Sequence, residues 1–174
     1  YAAQSGNVKH KWSQGDSVTF TTSGEMDNGM SVSYYYEIDN GATGAKAVAL
    51  TNDMGTLTFA GMDNSGPVSA WDDLTPTANE EAHGTGVGGV GTVDGPSNGQ
   101  GSGDVFILDM NLMEGLDLKA SYAPNKGATR IEGSMEYGLK YTGIDGLALY
   151  AAMGENKNAS NEADNTNLAA VYTM

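Results

Sequence analysis

The sequence predicts an all-β protein: an antiparallel sheet whose strands cross a membrane as part of a β-barrel. Three observations carry that expectation. Apolar and polar residues alternate with period two through most of the chain, as in strands with one apolar and one polar face. Short turns rich in Gly, Asn and Asp separate these runs. The connections also alternate in length. Tight turns near Asp27, Asp53, Glu114 and Asp145 are interleaved with longer gaps at 39–45, 63–104, 123–128 and 154–166. Consecutive antiparallel strands put odd and even connections at opposite ends of a sheet, so the tight turns share one end and the long loops the other. A membrane barrel sorts its connections this way; a β-sandwich has no reason to.

Taken in order, residues 1–16 are polar and aperiodic, a loop or the entry to a missing strand. Val18, Phe20 and Thr22 then alternate with Thr19, Thr21 and Ser23. The turn around Asn28-Gly29 accepts positive φ cheaply and closes a hairpin. Its second strand puts Met30, Val32, Tyr34, Tyr36 and Ile38 on one face and Ser31, Ser33, Tyr35 and Glu37 on the other. A second hairpin pairs 46–52 with 56–61. Beyond residue 104, Phe106, Leu108, Met110 and Leu112 alternate with Ile107, Asp109 and Asn111, then Leu116, Leu118, Ala120 and Tyr122 with Asp117, Lys119 and Ser121. In the next strand Ile131, Met135, Tyr137, Leu139 and Tyr141 oppose Arg130, Glu132, Ser134, Glu136 and Lys140. Leu147, Leu149, Ala151 and Met153 follow, then a polar loop at 154–166 and a last strand at 167–173 whose facing the pattern leaves open. Tyr141, Tyr150 and Tyr172 fall near strand ends, where interfacial belts place such rings.

The long segment 63–104 has neither period, and glycine dominates its second half. Structureless connections of this length are rare in compact domains and are usually functional or disordered.

Composition narrows the function. The 174 residues suffice for one domain, and 8 Lys and Arg against 22 Asp and Glu give a formal charge of −14. That balance argues against nucleic acid, whose phosphates require basic patches. With no cysteine, disulfides and thiolate chemistry are excluded. His10 and His83 are too few and too far apart for a metal cluster. No run approaches the roughly 18 apolar residues of a membrane helix, but transmembrane strands need only about 9–11 residues with alternate ones apolar. The first residue is Tyr1 rather than Met, which points to processing or truncation.

Residues 17–35, SVTFTTSGEMDNGMSVSYY, resemble the early hairpin of general bacterial porins, those of alphaproteobacteria in particular. Residues 54–61, MGTLTFAG, resemble the strand that precedes the constriction loop of that family, with Met54 in the usual aromatic place. The resemblance implies an outer-membrane barrel of about sixteen strands, of which residues 1–174 form a partial barrel domain covering roughly the second to tenth. Nine strands are an odd number, whereas complete bacterial barrels have even ones. The resemblance further implies a homotrimer among outer-membrane lipids, passive passage of ions and small hydrophilic solutes, and a third loop, 63–104, folded into the pore. It implies no cofactor and no catalysis.

Asp72, Asp73, Glu80 and Glu81 cluster in that loop. They read either as a solvated polar loop or as an acidic rim of a constriction. In the second reading they face Lys119, Arg130 and Lys140, with Glu132 and Glu136 also lining the lumen, because charged rings set ion preference in pores. Residues 84–89, GTGVGG, match a glycine-rich phosphate fingerprint but lack the strand–turn–helix setting it requires. Stretches 61–65 and 154–167 offer oxygen ligands for calcium without the spacing of a recognised loop. A secreted or surface-attached β-rich structural protein, an adhesin or surface-layer component, is the alternative that composition leaves open.

Overall fold

In the computed structural model the residues described are 17–39, 41–61, 66–71, 74, 104–124, 133–158 and 161–173. Nine strands form one sheet in chain order, each antiparallel to the one before. They are β1 (Ser17–Glu25), β2 (Ser31–Asp39), β3 (Ala42–Asn52), β4 (Gly55–Gly61), β5 (Asp104–Met113), β6 (Leu116–Ala123), β7 (Ser134–Ile144), β8 (Leu147–Asn158) and β9 (Asn161–Tyr172). A single helical turn, α1 (Pro67–Ala70), lies between β4 and β5.

The registers convert the sequence alternation into two faces. Val32, Leu50, Leu57, Leu108, Ala120, Tyr137 and Met153 form one cross-strand row from β2 to β8. The neighbouring row on the other face runs Ser33, Ala49, Thr58, Ile107, Ser121, Glu136, Gly154 and Asn165. Period two makes such rows obligatory once register is set, since a one-residue slip would exchange the faces. Phe106, Met135, Tyr137 and Leu139 thus share a face, opposite Asp109, Lys119, Glu136 and Lys140. The last strand, which the pattern left unassigned, puts Leu168 opposite Ala151 and Ala170 opposite Leu149, on the apolar face.

Burial is inverted relative to a water-soluble sheet. The buried apolar side chains of the strands, Ala60, Val105, Ile107, Ala123 and Ala152, lie on the polar face. On the apolar face Phe20 is 54% exposed, Tyr137 51% and Leu168 78%. Phe59 and Phe106 pack against each other there, centroids 4.8 Å apart, without covering the band. The band therefore requires an apolar environment that the described residues do not supply.

Four expectations are corrected. The gap at 39–45 is a tight hairpin: β2 reaches Asp39, β3 starts at Ala42, and Gly41 takes φ +76°. The polar loop at 154–166 is likewise a hairpin, with Glu155 opposite Asp164 and Asn158 opposite Asn161. Strand ends made of polar and small residues carry no apolar period, so they read as loops. The clean sorting of tight and long connections therefore does not hold. Two connections at the loop end, 39–42 and 158–161, are tight, and only those after β4 and β6 are long. Finally, Tyr150 does not belong to an outer aromatic belt. Leu149 and Ala151 take the apolar face, which sends Tyr150 to the polar one.

Candidate functional site

The polar face of β5–β9, with α1 laid across it, is where the chain gathers its chemistry. Helix α1 starts as helices commonly do, with Pro67 in the first turn, where a missing N–H costs nothing. Its one turn closes through Ala70 N–H to the Gly66 carbonyl and Trp71 N–H to the Pro67 carbonyl, 2.9 and 3.1 Å. It packs on β6, β7, β8 and β9.

Val68 is held by both of its backbone groups. Its N–H donates to Glu136 Oε2 on β7 at 2.9 Å, and its carbonyl accepts from Asn167 Nδ2 on β9 at 2.9 Å. Val68 and Glu136 are both fully buried. The floor of the seat is glycine where the approach is closest. A Cβ on Gly138 would stand 2.4 Å from Trp71 Cζ3 and 2.9 Å from Pro67 Cβ. Such glycines in a strand interior mark places where another backbone comes near.

Beside the seat, Trp71 meets Tyr150 edge-on with centroids 5.6 Å apart, and Lys140 Nζ lies 5.9 Å from the Tyr150 ring centroid. Lys119 Nζ donates to Asp109 Oδ1 at 2.9 Å, and Asn111 Nδ2 donates to Asp117 Oδ1 at 2.9 Å. Trp71, Asp109, Asp117, Lys119 and Lys140 help line an open hollow of about 370 Å³. This is a wet, charged wall with cross-strand ion pairing; none of these contacts pairs a nucleophile with a base.

Of the residues the sequence marked, Lys119, Glu136 and Lys140 share this face, though Glu136 is sealed under α1 rather than lining open space. Asp72, Asp73, Glu80, Glu81, Arg130 and Glu132 lie outside the described residues. So do His10, His83 and most of 61–65. Sequence reasoning missed Val68, Trp71, Tyr150 and Asn167. Two signals were present: Gly66-Pro67 as a helix start, and glycines at 138 and 154 among polar-face positions of otherwise regular strands.

The family model for Gram-negative porins matches residues 1–174, the whole chain. The chain belongs to that family. No curated protein and no solved structure matches it. Membership accounts for the inverted burial, since the apolar band of a porin faces lipid. It implies an outer-membrane location and a channel rather than an enzyme. The nine-strand antiparallel meander is in keeping with that architecture.

Proposed function

We propose that this porin passes ions and small hydrophilic solutes by passive diffusion through a closed, water-filled barrel of about sixteen strands, assembled as a homotrimer. Its long segment 63–104 crosses the lumen and narrows it. One observation carries the reading: the start of that segment, 66–71, lies on the polar face of the sheet, clamped at Val68 by β7 and β9. In a closed barrel with the apolar band toward lipid, that face is the lumen side, so the segment sets out inward. The acidic residues Asp72, Asp73, Glu80 and Glu81 follow directly. In this reading they form a rim facing Lys119, Arg130 and Lys140, with Glu132 in the wall beside them. Size exclusion and the field across that rim then set selectivity, because low-dielectric walls focus field lines.

Deleting 76–100 tests it in planar bilayers. The deletion should widen the pore and raise single-channel conductance while leaving the folded barrel intact, since strand pairing depends little on an inserted loop. A conductance equal to that of the parent would place the segment outside the pore. A parent protein that carries no current, and that is released into buffer without detergent, would overturn the channel itself.

A further inference from the structure

We infer that Glu136 is a positioning residue: it latches the head of the long segment to the wall and so holds the constriction at one bore. The inference deepens the channel reading above and, for its effect on bore, rests on it.

A fully buried carboxylate in the middle of a sheet needs a reason, because burying a charge-bearing group is costly unless it gains hydrogen bonds. Glu136 is 0% exposed, and what seals it is α1, a part of the chain 68 residues earlier. The same helical turn receives the Asn167 amide on its other side. One residue, Val68, thus ties the segment to two strands that are not neighbours, with β8 between them. Directly above the carboxylate the chain is glycine. A Cβ on Gly66 would stand 2.2 Å from Glu136 Oε2 and 2.3 Å from Ser121 Oγ, so no other residue lets the carboxylate reach the backbone. On the strand side, a Cβ on Gly154 would stand 2.8 Å from Glu136 Cγ. The site is built around this one carboxyl group from three directions.

The remaining polar atoms say which part of Glu136 matters. Oε2 takes the Val68 N–H, while Oε1 and the hydroxyl of its cross-strand neighbour Ser121 are both buried without a partner among the described residues. The latch therefore needs an acceptor at Oε2 and does not need a second carboxylate oxygen. Glutamine keeps an acceptor oxygen for the Val68 N–H. Alanine removes the acceptor and leaves the Val68 N–H buried and unpaired, which is the costly half of a broken hydrogen bond.

These 174 residues contain no cysteine, so V68C gives them one reporter thiol, at a position with 0% exposure. Labelling of V68C by a water-soluble maleimide in the reconstituted protein reads the docking directly. Adding E136A should raise the labelling rate about tenfold or more, the population shift expected from orphaning one buried donor. E136Q should leave it slow. In bilayers E136A should add openings of larger conductance, and E136Q should not. If E136A impairs folding, N167A removes the other clamp and should raise labelling in the same sense. Unchanged labelling in a folded E136A channel, or labelling as fast in E136Q as in E136A, would overturn the latch. If the parent carries no current, the channel reading fails, while the labelling rates still decide whether Glu136 holds the segment.

Discussion

At the residue scale, the same amino acid means opposite things on the two faces. Leu139 sits mid-strand on the apolar face, 44% exposed, with Leu118 and Ala151 as cross-strand neighbours. In lipid that exposure is favourable, and Leu139→Arg should destabilise the inserted barrel by about 2–4 kcal/mol, the cost of a cation near the bilayer midplane. Ser33, exposed on the polar face between Ser23 and Ala49, should accept arginine with little effect on folding and a change in conductance instead. Urea titration of the protein folded into vesicles measures both variants. Equal losses would mean that the Leu139 side meets protein rather than lipid. The facing of Leu139 was legible in the sequence because it depends only on period two. The fate of Glu136 was not. Its alternation predicts a wall residue beside Lys140, and nothing local reveals that Val68 will arrive to cover it.

Among elements, hairpins with apolar strands were readable end to end, and polar strand tips were not. The turn at Asn28-Gly29 has Gly29 at φ +80°, as the dipeptide predicts, and Asn28 Oδ1 accepts from the Met30 N–H at 3.1 Å. The residues at 39–45 contain an equally good signal, Asn40-Gly41, hidden among other small and polar residues. Gly41 now anchors a specific expectation. At φ +76° a β-branched side chain is strained, so Gly41→Val should cost about 1–2 kcal/mol and loosen the ends of β2 and β3. The neighbourhood is open, with nothing within 4 Å of an added Cβ, so the loss would report backbone strain and not a clash. Hydrogen exchange at Ile38 and Thr43, which face each other in the ladder, is the sensitive readout. No change there would mean the connection behaves as the loose loop that the sequence implied. The tips of β8 and β9 escaped notice for the same reason: their residues are polar at nearly every position and leave no apolar period. Helix α1 is too short to show one.

For the whole molecule, the charge balance is the property still to be connected with transport. The chain carries −14 overall, and on the described polar face Lys119 is already matched by Asp109. Lys46 pairs with Asp104 at 3.5 Å, on the apolar face at the end of the sheet where the long segment leaves and returns. That pair stands at the rim and adds nothing to the field inside. Acidic residues therefore exceed free cations along the proposed path, and the porin should prefer cations. Replacing Asp72, Asp73, Glu80 and Glu81 together by their amides should weaken that preference, read as a shift of the reversal potential toward zero under a salt gradient. The shift should be largest in dilute salt, because charges are screened over roughly 30 Å at 0.01 M but only about 3 Å at 1 M. A shift as large at high salt as at low would point to direct ion contact with the four residues. Conductance should change less than selectivity, since amides conserve the size of the carboxylates they replace. A reversal potential that ignores all four substitutions at every salt concentration would put the acidic cluster outside the conducting path, even if Glu136 still holds the head of the segment to the wall.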